Sequence, residues 1–314
     1  MLAMVLTAVA FEQWLRARPG FSGASVLALD PFDGGVSNLT CRAHLAAGPV
    51  PAVVLRVQRE AGIFAPYDVI REGEVLRRLA ASEVPVPAIL AVEPDPRPLG
   101  APFIVMEWVD APHMGAAGPD ADFGAYVRTV AAIHRLDWRG LGLDFLGVAE
   151  SAAAASRAEL ERVAGRMPAF GCEADPLLSR ALDALRAAVP GDGQLAFCQG
   201  DINVFNYLFR AGEVVAVVDW EQARIGDPRA DVGQMLALSN LKGAPFAPAG
   251  EMPFVRAYEA VAGSRLPRMA YFRARWLFEL GVIYHGWLRF NETAPWYAWG
   301  RLADLLGSAL DELA

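Results

Sequence analysis

Residues 197–220 read FCQGDINVFNYLFRAGEVVAVVDW, and the fold is decided there. Two apolar runs, Tyr207–Phe209 and Val214–Val218, flank a short turn containing Gly212, a pattern that predicts a β-hairpin. A hairpin brings its open ends together, and here those ends are Asn206 and Asp219. Facing residues of antiparallel strands lie about 5 Å apart, so an amide oxygen and a carboxylate meet as a pair of hard oxygen donors. Magnesium takes such a pair, with phosphate oxygens and water completing its shell. Asp201, five residues before Asn206, enters the hairpin aimed at the same centre without being needed as a ligand. A carboxylate free of metal beside a two-oxygen clamp suits phosphoryl transfer to a hydroxyl: the carboxylate takes the acceptor proton while the cation offsets phosphate charge.

Composition narrows the surroundings of that site. The chain has 314 residues, long enough for two lobes or one large α/β domain, and 54% hydrophobic residues against 20% charged exclude wholesale disorder. A formal charge of −8 disfavours nucleic acid as a partner. Three cysteines without a C-x-x-C pair, Cys41, Cys172 and Cys198, fit reduced thiols. The four histidines form no sequence-local zinc motif. Met1–Ala10 is apolar but lacks a basic leader and is followed by Glu12 and Arg16, which predicts an N-terminal helix on the body, no membrane span, and a cytoplasmic protein. Lys242 is the only lysine, followed by Gly243, so a Walker A phosphate loop is excluded.

Outward from the hairpin, the chain changes character near residue 110. Val53–Val57 reads as a strand, and Glu72, Val75, Leu76 and Leu79 share one face of a helix predicted over 71–81. Pro85 and Pro87 end that helix and open the strand segments Ile89–Val92 and Phe103–Met106. The stretch 111–119 is rich in Gly, Ala and Pro, as a connection is; beyond it the period is helical, over 123–134, 152–188 and from about 253 to the end. The expected architecture is α+β: residues 1–109 as a small mixed β-sheet lobe and 110–314 as a larger, mainly helical one.

The spacing Asp201–Asn206–Asp219, with Gly-Asp-x4-Asn, hairpin and Val-Val-Asp-Trp, resembles the aminoglycoside phosphotransferases and their relatives, which share the two-lobed protein-kinase-like fold. The resemblance implies an ATP- and magnesium-dependent transfer to a small-molecule hydroxyl, with Asp201 as general base, Asn206 and Asp219 as magnesium ligands, and residues 1–109 as the nucleotide-binding lobe. It also implies that Asp231 braces the catalytic loop, while Asp227 before Pro228 reads as a helix cap. One departure stands out. Gln199 occupies the place of the family's usual histidine; it can hydrogen-bond but cannot titrate.

On the nucleotide side, the resemblance points to the glycine turn around Gly34, Gly35, Ser37 and Asn38 for phosphates. It points to Arg56 where a lysine usually stands, oriented by Glu72, whose position on an apolar helix face demands a partner. Adenine is expected against the backbone at Glu107 and Val109. His134 matches the family pattern but is better explained as a buried, hydrogen-bonded histidine.

The C-terminal aromatics between Tyr271 and Trp299 loosely resemble the branch of kinase-like domains fused to some acyl-CoA dehydrogenases, and helical spacing favours a core role for most of them. Arg273, Arg275 and Arg289 among them suit an apolar or anionic acceptor. From residue 111 onward 24 acidic side chains face 19 basic ones, too mild an excess to single out a polycationic antibiotic. An aminoglycoside or macrolide resistance kinase is a substrate variant of this reading. The competing class is a nucleotide-binding pseudokinase acting through a partner; retention of Asp201, Asn206 and Asp219 speaks against it. The acceptor, the choice of ATP over GTP and the oligomeric state are left open at this level.

Overall fold

The computed structural model describes residues 7–32, 37–117, 122–242, 251–291 and 293–313, with only the backbone of Glu251 and Met252. Contacts divide the chain into two compact units: Met1–Ala81 with Pro85–Asp110, and Ala111–Ala314 with the short piece Ser82–Val84.

In the first unit, Thr7 caps helix α1 (Ala8–Arg16) by accepting from the Ala10 N–H at 3.1 Å. The strands are β1 (Ser25–Pro31), β2 (Leu39–Ala47), β3 (Ala52–Val57), β4 (Ile89–Glu93) and β5 (Phe103–Glu107), with α2 (Val69–Leu79) between β3 and β4. Their order is β1-β2-β3-β5-β4 and every pairing is antiparallel, so the mixture in this lobe is of strands with helices and not of strand directions. All six residues of the central β3 are buried. Alternation along it sends Val53, Leu55 and Val57 into the cluster built with Phe11, Trp14 and Leu15 of α1, and Arg56 to the opposite face, where Glu72 of α2 meets it. Gly73 lets α2 lie close on the sheet, since a Cβ there would come 2.9 Å from Ile104. The helix begins two residues before the predicted start because Asp68 caps it, accepting from the Arg71 N–H at 2.8 Å.

The second unit holds α3 (Met114–Ala117), α4 (Phe123–Arg135), α5 (Ala152–Ala164), α6 (Met167–Phe170), α7 (Pro176–Ala187), β6 (Ala196–Cys198), β7 (Tyr207–Arg210), β8 (Glu213–Val217), β9 (Arg224–Gly226), α8 (Arg229–Lys242), α9 (Glu251–Ala262), α10 (Met269–Phe290) and α11 (Trp299–Asp311). The helical stretch 152–188 is three helices. Gly171 at φ 70° ends α6, and Asp175, accepting from the Leu177 and Leu178 N–H groups, starts α7 at Pro176. On α10, Tyr271, Phe272, Trp276 and Phe278 are buried, and Gly233 of α8 admits α10 closely, because a Cβ would stand 2.7 Å from Phe272. Among the described residues no helix is long and apolar enough to cross a membrane.

Candidate active site

The predicted hairpin is present as β7 and β8. Tyr207 pairs with Val217, Leu208 with Ala216, and one extra residue bulges from β8 opposite the Leu208–Phe209 step. The Val218 N–H donates to the Asn206 carbonyl at 2.9 Å, extending the ladder one step, so Asn206 and Asp219 stand at the open end as expected. Asp219 adopts φ 62°, a left-handed conformation that Asp tolerates better than most residues and that turns the chain out of the strand.

Asp201 is brought to that end by its loop. The Asn206 side-chain amide donates to the Asp201 Oδ2 at 3.1 Å and to the Asp201 carbonyl at 2.9 Å. With its nitrogen so engaged, the amide directs its oxygen, the atom a hard cation binds, to the other side. Asp219 lies near enough for its charge to act on Asp201. Burial first, and then that charge, push the Asp201 carboxyl up to about 6, against the lowering effect of hydrogen bonds from Gln234 and Asn206. Oxygen-only donors at Asn206 and Asp219, with a third carboxylate alongside, fit magnesium and not a soft metal.

Gly200, at φ 87°, is required where it stands: a Cβ would collide with the Gln222 carbonyl oxygen. The loop is braced from below by Asp231, fully buried in the first turn of α8. Its Oδ2 accepts from the Gln199 N–H (3.0 Å), the Gly200 N–H (3.3 Å) and the His134 Nε2 (3.2 Å), and its Oδ1 from Arg224 (3.2 Å). Burial alone would raise this carboxyl, but the His134 hydrogen bond and the charges of Arg224 and His134 hold it below the ordinary range. His134 also bonds the Tyr258 hydroxyl at 2.7 Å, which makes it a satisfied buried histidine. Cys198, His134 and Asp231 place ligand atoms within 4.8 Å of one another, yet Asp231 already accepts from four donors that a cation would have to displace.

Gln199 does more than occupy the usual histidine position. Its Nε2 donates to the Val218 carbonyl at 3.0 Å and its Oε1 accepts from the Tyr207 hydroxyl at 2.7 Å. It thereby ties the Asp201 loop to the residues adjoining both Asp219 and Asn206. Sequence reasoning missed Gln234 altogether. This buried residue of α8 donates from Nε2 to the Asp201 Oδ1 at 2.6 Å and accepts from the Ile202 N–H at 2.7 Å, so one side chain fixes both the loop backbone and the carboxylate. Its only signal in the sequence is its place three residues after Asp231, on the same helix face.

The residues expected to contact a nucleotide lie in the first unit. Arg56 and Glu72 form a buried ion pair at 2.8 Å. Ser37 and Asn38 are buried, and Asn38 Oδ1 accepts from the Arg59 N–H at 3.2 Å, a bond that ties the start of β2 to the chain just after β3. Gly34 and Gly35 lie outside the described residues. Glu107 donates its N–H to the Ala88 carbonyl and folds its carboxylate back onto the Ala88 N–H. Val109 follows Trp108, whose ring is covered by the Arg42 guanidinium at 4.2 Å. In the second unit, two of the C-terminal arginines are ion-paired: Arg273 with Glu312 at 2.6 Å and Arg275 with Glu279 at 2.7 Å.

Residues 28–272 match the phosphotransferase enzyme family. The chain belongs to that family. A curated relative, acyl-CoA dehydrogenase family member 10 of Mus musculus, is 27% identical over 241 residues, 73% of this chain but only 22% of the mouse protein. The chain therefore spans about a fifth of that relative's length. Among solved structures, a Ralstonia eutropha protein assigned to the aminoglycoside phosphotransferases aligns at TM-score 0.74 with 22% identity, covering 98% of both chains. A thermostable mutant of aminoglycoside phosphotransferase APH(4)-Ia, solved as a ternary complex with ADP and hygromycin B, aligns at TM-score 0.57 with 17% identity over 97% of each chain. At these identities the structures establish the protein-kinase-like phosphotransferase fold for this family member.

Proposed function

We propose that this chain is an ATP-dependent O-phosphotransferase acting on the hydroxyl of a small molecule, with Asp201 as general base. The observation that carries the reading is the meeting of Asp201, Asn206 and Asp219 at one hairpin end, with the Asp201 carboxyl pushed up to about 6. At pH 7 such a group is mostly ionised yet more basic than an ordinary aspartate, as a proton acceptor for a hydroxyl should be. The acceptor oxygen forms a bond to the γ-phosphorus as the bond to the β–γ bridging oxygen breaks. The acceptor proton passes to an Asp201 oxygen, and ADP leaves. Gln234 and Asn206 hold the two carboxylate oxygens in place for this transfer.

Asn206 and Asp219 would hold magnesium, which when bound supplies positive charge against the β- and γ-phosphate oxygens. Arg56, held by Glu72, is the cation assigned to the α- and β-phosphates; its planar guanidinium suits bidentate phosphate contact. The glycine turn at Gly34 and Gly35, with Ser37 and Asn38, and the backbone at Glu107 and Val109 complete the proposed nucleotide contacts. Family membership and the occurrence of this fold around ADP and hygromycin B support a nucleotide and a small hydroxylated acceptor.

The test compares wild type with Asp201→Asn. Wild type is expected to be thermally stabilised by ATP only when magnesium is present, because a ligand of the folded state alone raises apparent stability. The variant should keep that stabilisation while turnover with a hydroxyl acceptor falls roughly 10²- to 10⁴-fold. Unchanged turnover removes Asp201 from the role of base. Absence of magnesium-dependent stabilisation in wild type removes the nucleotide reading. Resistance to aminoglycosides or macrolides, tested by expression in a sensitive host, would identify an antibiotic as acceptor.

A further inference from the structure

The Asp201 loop and the turn that leaves Asp219 lie directly on one another. In that turn the Ala223 N–H donates to the Trp220 carbonyl at 3.0 Å, and the Gln222 carbonyl faces Gly200 so closely that a Cβ there would strike it. Arg224 comes next, as the first residue of β9, opposite Cys198 of β6. Its guanidinium folds back over this junction. Nη1 donates to the Gln222 carbonyl at 3.3 Å and Nη2 to the Asp231 Oδ1 at 3.2 Å, while Asp231 Oδ2 holds the Gln199 and Gly200 N–H groups. One planar fork therefore grips the Asp219 turn with one nitrogen and, through Asp231, the Asp201 loop with the other. Every one of these residues belongs to the second unit.

The fork is itself oriented from a third side. Glu159 of α5 places its Oε2 3.9 Å from the Arg224 Nε, and is held in turn by Arg162 at 2.9 Å and Arg275 at 3.6 Å. Glu279 meets Arg162 at 3.3 Å and Arg275 at 2.7 Å, so three arginines balance Glu159, Glu279 and Asp231. The Arg224 side chain is only 12% exposed. Desolvation offsets most of the attraction within such a cluster, which suits it better to fixing geometry than to adding stability. Geometry needs fixing here. Burial first, and then the Asp219 charge, disfavour the Asp201 anion, so the two acids resist approach. Gln199 ties their segments together from the hairpin side, and Arg224 does so from β9.

We propose that Arg224 is a positioning residue for the phosphoryl transfer: its fork, oriented by Glu159, sets the Asp219 turn against the Asp201 loop and so pre-organises the magnesium ligand and the base together. This rests on the phosphotransferase reading and adds to it a residue that acts only through the Gln222 carbonyl and Asp231. A lysine at 224 would keep the charge but not the fork, since a single ammonium cannot hold two acceptors in one plane.

Arg224→Lys is therefore the test, read by thermal stabilisation with ATP across a magnesium series and by steady-state turnover of ATP to ADP. The melting temperature without ligands should stay close to that of wild type. The magnesium concentration giving half of the ATP-dependent stabilisation should rise about tenfold, and kcat should fall by about the same factor, as when the partner of a metal ligand is lost. KM for ATP at saturating magnesium should stay near its wild-type value, because no nucleotide contact is removed. A lowered melting temperature with the magnesium response and kcat of wild type would make Arg224 a purely structural residue and overturn the assignment. If Arg224→Lys does not fold, Glu159→Gln decides, because it loosens the fork and keeps both of its hydrogen bonds: a raised magnesium requirement supports the assignment, and an unchanged one overturns it. Wild type is measured alongside. Absence of magnesium-dependent stabilisation there sinks the phosphotransferase reading itself, whereas a responsive wild type matched by its variants sinks the role of Arg224 alone.

Discussion

Replacing Gln234 separates its two jobs, because each end of the side chain serves a different partner. Gln234→Leu removes the acceptor for the buried Ile202 N–H and the donor to the Asp201 Oδ1. An orphaned buried amide costs about 1–3 kcal/mol, and a hydrogen bond to a charged group is worth about 1.5–3 kcal/mol. The two share one side chain and do not simply add. A loss of about 2–4 kcal/mol in unfolding free energy is expected, read from denaturant curves. Gln234→Glu keeps an acceptor for Ile202 but sets a second carboxylate where the wild-type amide nitrogen stands 2.6 Å from Asp201. Two carboxyls that close hold a proton between them, so the pair's upper apparent pKa rises further above 6. The wild-type rate should fall as pH drops through about 6, where the base becomes protonated, and added magnesium should move that limb to lower pH because a nearby cation favours the anion. In Gln234→Glu the limb should move upward by about one pH unit or more, with turnover at pH 6.5 reduced about threefold or more. The assay is the rate of ATP turnover from pH 5 to 9. A Gln234→Glu profile that superimposes on wild type, with an undiminished rate at pH 6, would refute the claim that Gln234 governs the base.

Other consequences follow from the loop. Gly200→Ala forces a Cβ into the Gln222 carbonyl at a φ of 87°, and should cost about 2–4 kcal/mol, seen as a lowered melting temperature with turnover lost in proportion to loop distortion; a neutral substitution would contradict the geometry. Asp231→Asn should destabilise by about 3 kcal/mol or more at pH 7, since Arg224 and His134 lose their anionic partner. The Asp231 carboxyl is held below its unfolded-state value. Its contribution is therefore present above that value, near 4, and is lost as pH falls through the folded value, so the gap between wild type and variant should narrow on acidification. A gap of constant size from pH 7 to pH 3 would argue against it.

Most of the architecture and the centre of the site were legible in the amino-acid order because they depend on short-range periodicity. The alternation in Tyr207–Val218 defines the hairpin, and a hairpin cannot form without bringing Asn206 to Asp219. Arg56 and Glu72 could be paired because an apolar helix face must neutralise the carboxylate it buries, and β3 offers one cation. Helix breaks within 152–188 were harder to see, since caps at Gly171 and Asp175 interrupt a composition that is helical throughout.

What only the tertiary structure decided are the side-chain partnerships between elements far apart in the chain. Nothing in the period of α8 says that Gln234 reaches back 33 residues to Asp201, or that Gln199 bonds Val218 and Tyr207 together. Arginines among the C-terminal aromatics read as open cations until Glu312 and Glu279 were found to neutralise two of them. The same holds for Lys242, whose meeting with Trp296 depends on how α8 lies against the segment after α10. Strand and helix periods determine which face a residue occupies; which partner waits on that face is set by packing, where hydrogen bonds and charges are matched across the core.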